Sequence, residues 1–480
     1  MSRLLAGGSL LLSLAALAAA EPPKGPPPEP APVIRLAVTP GAKAPRALRY
    51  ALLPDPLDQT AGNAAPLWVR AGSSAQNNQR KFTDKEYKWS NPAEVPLKDL
   101  PKDEVHDFLA AYAPALKLAD QAARRDRCDW EAPPITFQNF AEVLDLDKVQ
   151  EYRKLANLLS LRCRLELSEG RFDDAAHTLQ TGLVLARGLG DTDTLIQNLV
   201  GTAIAAVMLG RVEEWVQTPN APNLYWVLTD LPTPLVDPRR ATRSELQTIY
   251  RSFPQLRELR RADKSLSQEQ VNKLIADLYA ALSQVAGGDL PDWQKRLGAA
   301  AVALAVYPEA KKYLIDHGRT EEEVNALPVP HVVVVYLLED YDRTVDEVLK
   351  WSSVPPWQAR AGLDQVLKDI RPPGAINNNP IVVLTVPAVV KMYEARARQE
   401  RQVAALRCAE ALRQYAADHD GKPPEKLDAV KLPLPPDPYT GEGFGKYYKV
   451  AADGTGVYEV PPPPNMPPVL GRRFELAPPK

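Results

Sequence analysis

The sequence predicts a mainly α-helical protein, with a short β segment near its N-terminus and a long C-terminal helix followed by a small β-hairpin. Three observations carry that fold class. From about residue 97 onward apolar residues recur three and four positions apart, the spacing of one helix face. Ser, Thr or Asp stands where N-caps belong, as at Ser267, three residues before Gln270, and at Asp292. After the long run Ile381–His419, two strand-like pieces, Tyr447–Val450 and Gly456–Val460, flank the turn signal Asp453-Gly454.

Met1–Ala20 carries Arg3, an apolar stretch from Leu10 to Ala19 and small residues at Ala18 and Ala20, the pattern of a cleavable secretory signal peptide. The apolar stretch is shorter than the ~20 residues that span a bilayer core, and no cysteine follows the cleavage site. The chain is therefore expected to be exported, periplasmic or extracellular, with no transmembrane span after cleavage. Residues 21–32 (EPPKGPPPEPAP) read as an extended proline-rich linker. In the segment 33–96, read as β and irregular structure, Val33–Val38 and Leu48–Leu53 are β-type runs placed to form a hairpin.

Residues 97–370 read as one helical domain. Asp103–Arg127 shows an apolar face through Val105, Phe108, Leu109, Tyr112 and Leu116. Further helices are expected at Lys148–Ser168, Phe172–Arg187, Asp193–Val216, Ala241–Arg261, Ser267–Gln284, Asp292–His317, Glu321–Leu327, Pro330–Trp351 and Trp357–Asp369. Val329–Leu338 is β-branched, but its continuation into Tyr341, Val345 and Val348 keeps a helical spacing. The run RPPGAINNNP within 371–380 marks a linker. Beyond it, 381–480 is expected to hold the long helix, the small β module and a proline-rich tail.

Within Glu169–Gly190, Gly170 permits a tight turn, Phe172 plugs a hairpin and Ala175 lets two helices approach. Leu159, Cys163, Gly170, Phe172, Ala175, Leu179 and Gly182 resemble the tetratricopeptide-repeat pattern, without its closing proline. Gly210-Arg-Val-Glu-Glu214 echoes Gly170-Arg-Phe-Asp-Asp174 as a second, weaker copy. The resemblance implies hairpins near residues 155–216 and a groove lined by Asn157, Ser160, Arg164 and Gln197 as partner-binding candidates. The alternative for those four is a solvated helix face.

Ile381–His419, with Pro387 inside it, then Gly421-Lys-Pro-Pro424, Asp437-Pro438 and the hairpin, resembles the globular region of type IV pilins and type II secretion pseudopilins. The apolar helix is internal here, which argues for a packing or docking module instead of filament assembly. The blocks LPPDPYTG (434–441), Pro222-Asn-Leu-Tyr-Trp226 and LQTGLVLAR (179–187) resemble a family of uncharacterised exported proteins of planctomycete bacteria, from which no activity carries over.

Lys and Arg total 58 against 60 Asp and Glu, so no whole-molecule field attracts nucleic acid. Three cysteines, Cys128, Cys163 and Cys408, exclude a disulfide scaffold. Cys128 sits among arginines that would lower its pKa if it were exposed; Cys163 reads as a small buried residue. HExxH, GxSxG, GxxxxGK[ST] and paired CxxC do not occur, and the five histidines are scattered. No cofactor, metal or catalytic residue is assigned, although Asp437 and Asp453 are minor calcium candidates by the pseudopilin resemblance. The sequence thus points to a non-enzymatic binding or scaffold protein of the cell envelope, its partner a protein or envelope component. The alternatives are an envelope hydrolase assembled from dispersed Asp, Glu and His, and a secretion or pilus accessory component.

Overall fold

A computed structural model describes residues 30–38, 47–137, 139, 146–259, 267–285, 292–370, 379–464 and 466–478. Residues 1–29, where a signal peptide and most of the proline-rich linker are expected, and residues 371–378 lie outside the described residues. The protein is mainly helical. Strand β1 (Val33–Arg35) and strand β2 (Thr60–Asn63) are followed by helices α1 (Ala65–Gln76), α2 (Asp84–Ser90), α3 (Lys102–Ala110) and α4 (Ala113–Ala123). After β3 (Arg125–Arg127) come α5 (Leu146–Ser168), α6 (Phe172–Gly190), α7 (Leu195–Trp215), α8 (Tyr225–Thr229), α9 (Arg239–Ser252) and α10 (Gln255–Leu259). Then follow α11 (Gln268–Val285), α12 (Asp292–Asp316), α13 (Glu321–Asn325), α14 (Val329–Ser352), α15 (Pro356–Ile370) and α16 (Pro380–Asp418), and finally β4 (Tyr448–Val450), β5 (Gly456–Val460) and β6 (Arg472–Leu476).

Several expectations are corrected. The N-terminal hairpin does not form: β1 pairs in parallel with β6, Val33 opposite Arg473, and completes a sheet of order β1-β6-β5-β4. The segment 33–96 contains α1 and α2, which bury Trp68, Ala71, Ala75 and Trp89 in the main core. The run 103–127 is broken at Ala111-Tyr112, because Pro114 has no N–H to donate and suits the first turn of a new helix. Pro254 likewise separates α9 from α10. The capping boxes at Ser267 and Thr320 close as reciprocal pairs: Gln270 N–H donates to Ser267 Oγ at 3.3 Å while Ser267 N–H donates to Gln270 Oε1 at 2.8 Å.

Helices α5, α6 and α7 stack antiparallel. Gly170 turns the first hairpin in the left-handed region (φ +72°), and Arg171 N–H donates to Glu166 C=O across it. Phe172 packs on Trp215 with ring centroids 5.2 Å apart, tying the start of α6 to the end of α7. The expected second copy does not turn, since Gly210 lies inside α7. Instead α6 and α7 meet through glycines: a Cβ on Gly201 would stand 2.4 Å from Ala186 C=O. By length and composition α7 could cross a membrane; here it packs against α5, α6 and α16.

The 39-residue helix α16 joins two of the three cores. Ile381–Tyr393 pack with α9, α11, α14 and α15, while Ala404–Ala416 pack with the α5–α7 stack and the sheet. The third core lies between α12 and α14. The helix continues past Pro387 without ending.

Candidate functional site

The four residues predicted to line a groove do not make one. Arg164 is fully buried: its Nε donates to Glu214 Oε1 at 2.9 Å, and its Nη atoms reach Trp89 and Val95 carbonyls. Ser160 is also buried, and Asn157 is half-buried. Gln197 accepts from the Thr194 hydroxyl and belongs to the cap of α7. The physical reason is packing: α5 is covered by α1, α3, α6 and α7.

Other candidates resolve into structural parts. Cys128 is half-buried against Gly188, and burial, with Asp191 and Asp129 adding, pushes its thiol up to about 12. Its arginine neighbours are engaged elsewhere, Arg124 with Thr181, His177 and Gln180, Arg125 with Ala61 C=O. Cys163 and Cys408 are buried, and all three thiols are free. Asp437 is fully buried and Asp453 accepts from Thr455 N–H in a turn. Among the described residues no group of three His, Cys, Asp or Glu is placed to hold a metal.

A polar network lies under the hairpin. Arg162 donates to both oxygens of Asp120 at 2.7 and 2.9 Å, and Thr181 donates to Asp120 Oδ1 at 2.9 Å. Burial opposes ionisation of Asp120, but hydrogen bonds from His177, Arg162 and Thr181 outweigh it and hold the carboxyl below the usual range. One turn on, burial lifts Glu166 to about 7 against the opposing charge of Arg162, and its Oε2 has no partner among the described residues. The network is a packing device: Thr181 is fully buried, and the side chains of Arg162 and Asp120 are mostly so.

The features of the right shape flank the middle of α16, where the C-terminal module docks. Asp437, in the LPPDPYTG block, accepts from Arg401 Nη2 at 2.9 Å and from Tyr439 N–H at 2.9 Å. Arg401 also donates to Pro461 C=O at 2.7 Å and lies 5.1 Å from the Tyr439 ring. On one side, a cleft of about 240 Å³ opens between α15 and α16. Leu363, Val390, Pro438 and Pro463 form its walls; Tyr393, Tyr439, Arg360, Asp364 and Glu394 supply polarity. Arg360 stands over Tyr439 and 3.9 Å from Asp364. Desolvation in the cleft lifts the Glu394 carboxyl against the charge of Arg398, although the residue is solvent-accessible as a whole.

On the other side, a groove of about 360 Å³ runs between α7 and α16 under the Val460–Pro463 strap. Its floor is small, with Ala203, Ala206, Ala395 and Ala405, and its rim carries Arg398, Arg401 and Arg472. Sequence reasoning missed both clefts. The one available signal was the tyrosine and proline density of LPPDPYTG opposite an arginine-rich helix. No family model, no curated protein and no solved structure matches the chain.

Proposed function

We propose that the chain is an exported, non-enzymatic helical binding protein of the cell envelope that engages a partner protein or envelope component at the cleft between α15 and α16. The observation that carries this reading is the cleft itself. An apolar and aromatic centre of Leu363, Val390, Tyr439 and proline rings is bordered by Arg360, Asp364 and Glu394 on a rigid helical frame. That is the anatomy of a recognition surface, dry in the middle and charged at its edge. The tetratricopeptide-like hairpin and the pseudopilin-like module then serve as frame, with the resemblance to exported planctomycete proteins supporting the compartment.

The test is affinity capture with cross-linking from the native envelope fraction, using the mature chain and its Arg360→Glu and Tyr439→Ala variants. The reading expects a recovered partner that both variants lose. Recovery of bait alone, or of one unchanged set of proteins by all three baits, would remove it. A second reading, an envelope hydrolase, draws on the same cleft, because Asp364 and Glu394 pair an arginine-linked carboxylate with a desolvated one. Hydrolysis of envelope polysaccharide or ester that Glu394→Gln abolishes would favour it. The secretion-accessory reading has less support, since both halves of α16 are packed into cores of the same chain.

A further inference from the structure

Two arginines of α16, Arg398 and Arg407, stand in no ion pair among the described residues, and Arg407 rests on Pro433 C=O. Arg396 is paired with Glu400, Arg401 with Asp437 and Arg413 with Glu410. Among the described residues Arg398 donates no hydrogen bond and lies within ion-pair distance of no carboxylate, yet it faces the groove between α7 and α16. Arg401, more than nine-tenths buried, lines the same groove and keeps its Nε without a partner among the described residues. Arg472, the third guanidinium at the rim, is already held by Glu213 and two carbonyls. The groove therefore offers positive charge at Arg398, whose field reaches Glu394 one turn before it without forming an ion pair.

The floor offers nothing comparable for a polar tail. The Gln399 amide is spent on Val236 N–H and Thr202 C=O, and the Gln402 amide donates to Glu213 at 2.9 Å. What remains between Leu199 and Leu470 is a row of alanines under a proline strap. A polypeptide laid here would leave its amides without partners, at a cost of about 1–3 kcal/mol per buried group. A hydrocarbon chain loses nothing. The volume, about 360 Å³, falls within the range of small-molecule sites of roughly 300–1,000 Å³.

We infer that this groove binds a single-chain amphiphilic carboxylate, its carboxylate against Arg398 and its hydrocarbon tail over the alanine floor. The groove shares Pro463 with the partner cleft but opens on the other side of α16, and the inference does not rest on the partner reading.

The test is calorimetry on the purified full chain at pH 7.5 with decanoate below its micellar concentration, alongside decanol, acetate and a short apolar peptide with a free C-terminal carboxylate. Decanoate is expected to bind saturably at one site, and decanol about tenfold or more weaker, the factor for one charge-assisted hydrogen bond. Acetate should give no measurable binding. Arg398→Gln should bring decanoate down to the decanol level without changing decanol. Ala203→Trp, an exposed position on α7 that fills the groove, should abolish both. Equal affinity for decanoate and decanol, non-saturable uptake, insensitivity to either variant, or a peptide that binds where decanoate does not would each overturn the inference. Because Arg360 and Tyr439 are untouched, loss of decanoate with partner capture intact separates this site from the cleft.

Discussion

Asp437→Asn removes the charge from a fully buried carboxylate while keeping its shape. In the native chain that carboxylate neutralises Arg401 at 2.9 Å, accepts from Tyr439 N–H at 2.9 Å and lies 3.3 Å from the Tyr447 hydroxyl. The asparagine carbonyl retains the bond to Tyr439, so the loss is concentrated on Arg401, which is left buried with Pro461 C=O as its remaining acceptor. Breaking a buried pair from one side costs about 3–5 kcal/mol. Among the described residues the chain has three cores and residues 434–460 pack into one of them, so the measurement is local. Native-state hydrogen exchange of residues 434–460 is that measurement. If the pair holds the module on α16, exchange there should accelerate by about 150- to 5,000-fold, the factor equivalent to 3–5 kcal/mol, while α5 and α6 stay protected. The double variant Arg401→Met, Asp437→Asn should recover most of the protection, because an apolar pair carries no stranded charge. An increase below about threefold, or a double variant no better than the single, would refute the reasoning.

Gly201→Ala and Gly210→Ala should move stability in opposite directions. The first places a methyl 2.4 Å from the Ala186 carbonyl and should destabilise by about 1–3 kcal/mol; the second meets nothing within 4 Å and should stabilise by about 0.5–1 kcal/mol, both read by urea titration. Glu166 supplies a pH dependence. Its folded pKa of about 7 lies above the unfolded value of 4.5, so the native state binds the extra proton and stability falls as pH rises from about 4.5 to 7, by at most about 3 kcal/mol. Glu166→Gln should flatten that slope in denaturation series at pH 4.5 to 8, and an unchanged slope would show that another group is responsible. Ellman titration of the native chain at pH 7.5 should find no fast-reacting thiol and three after denaturation; a rapid single equivalent would mean that Cys128 is not held as described.

What the sequence made legible, and what it hid, follows from how far each constraint reaches along the chain. Helices such as α5, α6, α14 and α16 announce themselves because their apolar faces repeat within a single turn or two. Helix α1 does not: Gly72, Ser73 and Ser74 argue locally against a helix, and burial of Trp68, Ala71 and Ala75 against α4 and α5 overrides them. The β1–β6 pair joins the two ends of the chain, and no short window records it. Arg164 read as a surface residue because its countercharge, Glu214, lies two helices away.

The same reasoning explains why the distinctive motifs did not mark the clefts' most exposed chemistry. Asn223 and Leu224, in the PNLYW block, bind the buried Glu410 of α16, which Arg413 neutralises at 2.7 Å. Asp437, in LPPDPYTG, binds Arg401, and Gly182, in LQTGLVLAR, admits Met208 where a Cβ would stand 2.2 Å from its Sδ. Each block is unusual in sequence because backbone must fit closely at that joint, where few residue types are tolerated. A guanidinium facing a groove has no such requirement. Arg398 needs only the helical register that places it three residues before Arg401, and in the run RARQERQ it is indistinguishable from its buried and paired neighbours. Its meaning comes from subtraction: Arg396, Arg401 and Arg413 each have a carboxylate at ion-pair distance, and among the described residues Arg398 has none. A recognition residue of this kind becomes visible only when the partners of all the others are known.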